Sequence, residues 1–472
     1  MDQIAAGSDF LQLDPTGVPT RGLTDWLVGA LRTAIADGRL ARGTRLPASR
    51  SLATDLVVSR GVVVEAYRRL TDEGLVAGRS GGGTLVVDAP ARVPPAQSQA
   101  HQPGRLPRPR IALSEGFDLS PGVPDLSAFP RSMWLRAERQ VLTETAPEEL
   151  GYGDPSGHPR LRAALAPWLV RTRGLRITAA DIVIVSGVAQ AMALLAQQLR
   201  RDGVLDIGVE DPGSRGVIDE LSYWGMNPVP IPVDGDGMDI EALAASGARA
   251  AFLTPAHQFP TGVVLGPARR RELLVWAAQG ALVIEDDYDA EYRYDRAPVP
   301  ALHAGAPERI AYAGSTSKSL APALRLGWLV APPQYRTGLV AAKHASDLGS
   351  PTLPQLVLAR LLESGEYDRH VRAVRNRHRA RRNALLNGLA RVPGVQVQGV
   401  AAGLHVLITF ADNGINDVDV VEDLRVAGVV VQPLSLHRQR PGPPGLVIGY
   451  AAHPPDRLAE AAGIVAHALR RS

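Results

Sequence analysis

Ala313-Gly-Ser-Thr-Ser-Lys-Ser-Leu-Ala-Pro-Ala-Leu-Arg-Leu-Gly-Trp328 sets one lysine behind a row of small hydroxyl residues, with an arginine seven positions further on. Such a string supplies an amine that can form a Schiff base, and hydroxyls, amides and a guanidinium that can grip a phosphate. Alone, a Ser-Lys pair among small residues is usually just a loop. Composition sharpens the choice, because Lys318 and Lys343 are the only lysines among 51 basic residues. Lys343 lies in a helical stretch without comparable neighbours and is expected at the surface.

Upstream, Glu285-Asp-Asp-Tyr-Asp289 follows the apolar run Ala281-Leu-Val-Ile284. That places Asp286 and Tyr288 at the C-terminal end of a strand, where open α/β sheets bind their ligands. Ser186-Gly-Val-Ala-Gln-Ala191 follows the run Ile182 to Val185 and opens a helix, so the amides of Gly187, Val188 and Ala189 can hold a phosphate with help from the helix dipole. An acidic turn is usually solvated, and a Ser-Gly turn is usually just a turn. The order phosphate turn, aspartate, lysine, arginine is what points to pyridoxal 5'-phosphate (PLP), whose pyridine nitrogen needs a carboxylate partner.

Around these motifs, short apolar runs alternate with longer amphipathic stretches, the pattern of a mostly parallel sheet covered by helices. The expected divisions are a large α/β subdomain over about 111–350 and a smaller α+β subdomain over about 351–472 that carries the Arg-rich helix Glu366 to Leu389. Residues 89–110, rich in Pro, Gln, Ala and Arg, bury too little to fold alone and are expected to be a flexible linker. A chain of 472 residues suits two or three domains, and 45% hydrophobic with 21% charged residues suits a soluble protein. The absence of cysteine excludes disulfides, thiol catalysis and cysteine-ligated zinc, and the 11 histidines show no metal-ligand spacing. With neither an export signal nor a long apolar run, no membrane association and a cytoplasmic location are expected.

Residues 20–88 have their own organisation. A helix from Leu23 carries Trp26, Leu27, Ala30, Leu31 and Ile35 and stops at Asp37-Gly38. Pro47 can open a second helix over Ala48 to Leu56, and Ser59 can cap a third that runs to about Thr71. Two helices joined by a tight turn match a helix-turn-helix, and two short strands around Ser80 and Gly81 form a candidate wing. Ten arginines face seven acidic residues between positions 21 and 88, an excess equal to the net +3 of the whole chain. Charge alone is compatible with a solvated surface.

The strings Leu46-Pro-Ala-Ser-Arg-Ser-Leu-Ala53, Ser59-Arg60, Ala66-Tyr67, Glu73-Gly-Leu75 and Gly83-Thr84 resemble the GntR family of winged helix-turn-helix regulators over about 65 residues. That resemblance implies operator contacts from Arg45, Ser49, Arg50, Ser59, Arg60, Ser80 and Gly81. Together with Tyr152-Gly-Asp-Pro-Ser-Gly157, Glu210-Asp-Pro212 and Thr254-Pro-Ala-His-Gln-Phe-Pro-Thr-Gly262, the lysine motif resembles fold-type I aminotransferases over about 350 residues. The two folds in one chain resemble the MocR/GabR group of transcription regulators. This resemblance implies a Schiff base at Lys318, Asp286 on the pyridine nitrogen and Tyr288 on the ring hydroxyl. It further implies a phosphate held by Ser315, Ser317, Arg325 and the turn at Gly187, Val188 and Ala189, and a homodimer in which Tyr152 completes the neighbour's site.

Three positions depart from the aminotransferase pattern. Ser214 stands where relatives carry a ring-stacking tyrosine, Phe259 where aminotransferases carry an asparagine, and Val447 where they carry the arginine that clamps a substrate carboxylate. An apolar side chain cannot replace a bidentate guanidinium, although Arg215 offers another anchor for an acidic effector. The expected function is a PLP-dependent DNA-binding regulator that senses PLP itself or a PLP-amino compound aldimine, controlling vitamin B6 synthesis or amino-compound metabolism. An active aminotransferase with an accessory nucleic-acid-binding domain is the competing reading.

Overall fold

A computed structural model describes residues 11–79, 83–87, 116–289, 291–294, 299–390, 392, 394–399, 401–410 and 414–470. The expected linker and the wing tip at Ser80 and Gly81 lie outside the described residues. The chain divides into two compact units, 1–103 and 104–472.

In the first unit, α1 (Leu23–Ala36), α2 (Ser49–Asp55) and α3 (Arg60–Asp72) precede the antiparallel pair β1 (Val76–Arg79) and β2 (Gly83–Val86). Helical spacing puts Leu27, Leu31 and Ile35 of α1 against Val63, Ala66 and Leu70 of α3, and all six are buried in one core. Gly38, at φ 80°, ends α1 after Asp37, as its place in the sequence predicts. Ser59 occupies the N-cap position of α3, but its side chain makes no capping hydrogen bond. Val57, in the turn between α2 and α3, holds φ 53°, an uncommon conformation for a β-branched residue.

The second unit is built on eight strands: β4 (Ile182–Val185), β5 (Asp206–Asp211), β6 (Asn227–Asp234), β7 (Gly237–Met238), β8 (Ala250–Leu253), β9 (Leu282–Asp286), β10 (Ile310–Ser315) and β11 (Gly327–Val330). Their order is β4-β11-β10-β9-β8-β5-β6-β7, with β10, β9, β8, β5 and β6 parallel and β11 antiparallel to both its neighbours. The strand faces feed separate cores. Ile182 and Ile184 pack with α4 (Arg131–Glu144), α5 (Pro159–Arg173) and α11 (Thr352–Glu363). Val183 and Val185 pack with α6 (Val188–Arg201), α7 (Arg215–Tyr223) and α10 (Pro333–Asp347). Two further helices, α8 (Ile240–Ala245) and α9 (Pro267–Ala278), cover the β6 end.

The C-terminal block joins α12 (Glu366–Leu389), α13 (Asp417–Val426) and α14 (Pro455–Leu469) to an antiparallel sheet. That sheet has the order β12 (Val395–Gln398), β13 (His405–Phe410), β16 (Gly445–Gly449), β15 (Gln432–Pro433). The short strand β14 (Val429–Val430) pairs with β3 (Phe117–Asp118), and Phe117 and Leu119 are buried among Leu385, Val406 and Leu458. Residues 117–119 therefore belong to the C-terminal core rather than to the large subdomain expected over 111–350, and α11 belongs to the large one. No helix among the described residues is long and apolar enough to cross a membrane.

Candidate functional site

At the C-terminal end of the parallel strands, Val185, Gly327 and Ser315 stand side by side across β4, β11 and β10. Gly187, at φ 84°, turns the chain from β4 into α6, whose first amides have no side-chain cap. Arg325 reaches back to this turn and donates from Nη2 to the Ser186 carbonyl. A Cβ on Gly187 would lie 3.2 Å from that Nη2, and one on Gly327 would lie 2.9 Å from the Gly187 Cα, so both glycines are needed for the close approach. Ser315 Oγ accepts from the Ser317 amide at 3.3 Å. Free helix amides, the Ser315 hydroxyl and a guanidinium are thereby gathered into an anion cradle.

Lys318 follows β10 on a turn anchored from several sides. Its Nζ donates to the Gly122 carbonyl at 2.5 Å, and its own carbonyl accepts from Tyr292 Oη at 2.9 Å. The next residue, Ser319, bonds Tyr367 Oη at 2.7 Å and, through its carbonyl, His370 Nε2 at 2.8 Å. On the adjacent strand Asp286 pairs in register with Ala313. Its Oδ1 is buried without a hydrogen-bond partner, and burial, with Asp287 and Asp289 adding to it and Lys318 opposing, pushes the carboxyl up to about 8. An orphaned buried carboxyl is what a protonated ring nitrogen would satisfy.

The other acids of this run are already engaged. Asp287 takes Arg173 Nε and Nη2 at 2.5 and 2.8 Å and Tyr312 Oη at 2.5 Å. Glu285 accepts from the Leu302 and His303 amides, yet burial pushes it up to about 7. Tyr288 Oη lies 3.0 Å from His257 Nδ1, which is 2.9 Å from Asp289 Oδ2. Burial beside Asp289 and Asp286 holds the Tyr288 phenol well above its ordinary range, so it keeps its proton and remains a donor.

In the first unit, Arg45, Arg50, Ser59 and Arg60 are exposed and Ser49 is half-buried. The arginines elsewhere on the helices are matched to acids: Arg32 to Glu73, Arg68 to Glu65 and Asp72, Arg69 to Asp25 and Glu65. Arg45, Arg50 and Arg60 have no acidic partner among the described residues. Unmatched cations along one helix-turn-helix are what a phosphate backbone neutralises.

Comparison with known proteins joins these two sites. Residues 23–86 match the bacterial regulatory proteins of the gntR family, and residues 114–465 match aminotransferase class I and II. The chain is 32% identical to the probable rhizopine catabolism regulatory protein MocR of Rhizobium meliloti, over 91% of this chain and 90% of that protein. The chain belongs to the MocR-type regulators of the GntR family. It is also 34% identical to the HTH-type pyridoxine biosynthesis transcriptional regulator PdxR of Corynebacterium glutamicum, over 94% of each chain. The kynurenine aminotransferase of Pyrococcus horikoshii, solved in complex with PMP, superposes with a TM-score of 0.70 at 26% identity, covering 76% of this chain and 91% of that one.

Within this MocR-type fold the three departures become packing facts. Val447 is fully buried with Leu407 and Leu434, and Phe259 packs on the same cluster, its ring 4.9 Å from His405 and 5.0 Å from His437. Phe259 and Val447, two of the positions expected to depart from the aminotransferase pattern, thus share one apolar contact. Ser214 stands at the N-cap of α7 without a capping bond, and Arg215 is an exposed partner of Asp219. Tyr152 is 91% exposed beside a cleft of about 450 Å³.

Sequence reading missed two supports and misplaced one residue. Gly122 meets Lys318 across 196 residues of chain, and His257 bridges Tyr288 and Asp289 from a slot where a Cβ on Gly403 would lie 1.9 Å from its ring. Lys343 is not at the surface: it is 0% exposed, with Nζ 2.7 Å from Asp347 Oδ2 and 3.3 Å from Gln190 Oε1. The same Gln190 oxygen accepts the Ser186 amide at 2.8 Å, so Lys343 braces the turn between β4 and α6. The acid four residues after Lys343 is the signal that could have shown this.

Proposed function

We propose that this regulator carries PLP at Lys318 and that PLP, alone or joined to an amino compound, is its effector. The observation that carries this reading is the unpartnered Asp286 oxygen, whose carboxyl feels the charge of Lys318, on a sheet whose strand β4 leads into the amides of Gly187, Val188 and Ala189. Bound there, PLP would supply an electrophilic carbonyl conjugated to a pyridinium electron sink. Lys318 would hold the group covalently. Asp286 would hold the ring nitrogen's proton, Tyr288 would donate to the ring hydroxyl, and Ser315, Ser317 and Arg325 would bind phosphate oxygens with the α6 amides.

In this reading the site is a sensor. Val447 offers no cation to a substrate carboxylate, and Phe259 and Val447 close that corner with apolar contact, which disfavours steady transamination. PLP as effector, with vitamin B6 synthesis as the controlled pathway, is supported by the likeness to the Corynebacterium regulator of pyridoxine biosynthesis. Arg45, Ser49, Arg50, Ser59 and Arg60, with Ser80 and Gly81 at the wing, would contact double-stranded operator DNA in the cytoplasm. Residues 89–110 would act as the flexible linker of a homodimer, with Tyr152 completing the partner subunit's phosphate grip. A ligand that favours one arrangement of the dimer would change how the two winged units address paired half-sites.

The deciding experiment titrates the purified protein with PLP while following visible absorbance and operator binding together. Appearance of the lysine-bound band with a change in operator affinity is the expected result. No band, or the same response from Lys318→Ala, overturns the reading.

A further inference from the structure

The last turn of α5 and the first turns of α12 line a cleft of about 250 Å³ whose wall holds Arg171, Arg173, Arg372 and Arg375. Two of these guanidinium groups are neutralised. Arg171 Nη2 lies 2.6 Å from Asp368 Oδ2, an acid also tied to α5 by the Trp168 indole N–H at 2.8 Å, and Arg173 is paired with Asp287. Arg372 and Arg375, one helical turn apart, have no acidic partner among the described residues. Arg173 is itself 3% exposed, and its Nη1 is buried without an acceptor.

The remaining acid in the wall does not cancel this charge. Glu291 faces Asp287, Asp289, Arg173 and the phenols of Tyr292, Tyr312 and Tyr367. Burial, with Asp287 adding to it, pushes its carboxyl up to about 8. At neutral pH it is therefore mostly protonated and can donate a hydrogen bond instead of repelling an anion. What is left is a recess with two uncompensated guanidinium forks and a neutral acid donor.

We propose that this cleft binds a small dianionic oxyanion, a phosphate or a short dicarboxylate, as an effector separate from the cofactor. Two forks match two negative charges, and each can engage oxygen pairs in bidentate fashion. The cleft is connected to the lysine turn through α12: Asp368, Arg372 and Arg375 line it, while Tyr367 and His370 of the same turns hold Ser319 next to Lys318. A second connection runs through Arg173 to Asp287, the neighbour of Asp286. An anion drawing on these arginines changes the support of the cofactor lysine, which is the differential contact that coupling between sites requires. Binding in the cleft does not rest on the PLP reading; its effect at Lys318 does.

The test is calorimetric titration of the full-length PLP-loaded protein, whose cofactor cradle is then filled, with inorganic phosphate and with succinate in separate arms and acetate as the monoanion control. Expected are saturable binding of one or both dianions, no saturable binding of acetate, and at least a tenfold loss of affinity in the Arg372→Gln/Arg375→Gln variant. Succinate binding should weaken as pH rises through about 8 in the wild type and persist in Glu291→Gln, a readout that separates recognition from folding should the arginine variant be unstable. Phosphate alone binding points to a phosphate-bearing effector, succinate alone to a dicarboxylate. The proposal is overturned if neither dianion binds, if acetate binds equally, if Arg325→Gln rather than the α12 variant removes the heat, or if the α12 variant loses operator affinity without any anion present, which would make the cleft a DNA surface. Failure of the cofactor reading would instead show as an absent PLP band before any anion is added.

Discussion

Among the described residues, every ion pair of the winged unit lies at the surface, each partner at least 34% exposed, whereas in the aminotransferase-like unit Arg173 and Asp287 meet at 3% and 2% exposure and Asp286 keeps an oxygen without a partner. The first arrangement puts charge where salt and phosphate compete for it. In the second, burial holds a proton on Asp286 until a cation of the right shape arrives. DNA binding and the proposed sensing of a small molecule thus rest on opposite uses of burial within one chain.

The contrast can be broken by substitution, most severely at Lys318. Lys318→Ala should abolish the lysine-bound PLP absorbance while leaving the salt dependence of operator binding by the cofactor-free protein unchanged; a retained band would mean that another amine serves. Next in size, Arg60→Ala should weaken operator binding by about tenfold or more and lower the salt slope by about 1, as read from binding isotherms at several salt concentrations. Arg68→Ala, on the same helix but matched to Glu65 and Asp72, should change affinity by less than about threefold. Equal losses would erase the distinction between matched and unmatched arginines.

Smaller effects sharpen the buried side. Glu210 and Glu285 are pushed up to about 7 by burial, and Asp286 and Glu291 to about 8, so these acids bind more protons in the folded unit than in the unfolded chain, while burial of His303, His378, His405 and His437 lowers their pKa values and opposes this up to the ordinary histidine range. Above about pH 7, where the unfolded histidines have released their protons, stability of the cofactor-free protein must then fall as pH rises, and the thermal midpoint should drop by about a few degrees between about pH 7 and about pH 8.5. Asp286→Asn should flatten part of that slope and weaken PLP binding at the same time, a pairing of signs that a purely structural aspartate would not give. Smallest is Val57→Gly, which removes a side chain from a position held at φ 53° and should stabilise the winged unit by about 0.5–1 kcal/mol in denaturant melts.

Local chemistry was legible in the sequence, and distant contact was not. Helix ends at Asp37-Gly38 and Ser59, the apolar runs that become β4 and β9, and the glycine turn at Gly187 follow from periodicity and turn chemistry within a few residues. The antiparallel insertion of β11 between β4 and β10, the docking of Phe117 beside Val429 and the contact of Gly122 with Lys318 join segments far apart in the chain and leave no periodic trace. Lys343 was misread because a lysine in an amphipathic helix is usually solvated, and its partners include Gln190, 153 residues away. Phe259 and Val447 were visible as departures, but their shared packing belongs to the folded chain alone.

The burial of Lys343 has a practical side. With only two lysines in the chain, one sealed in an ion pair at 0% exposure and the other half-buried on the cofactor turn, amine-directed labelling has a single side-chain target in the folded state. Reductive methylation or acylation followed by mass spectrometry would therefore read occupancy of Lys318 directly, without a spectrum. A second modified lysine would report that α10 had come away from the phosphate turn.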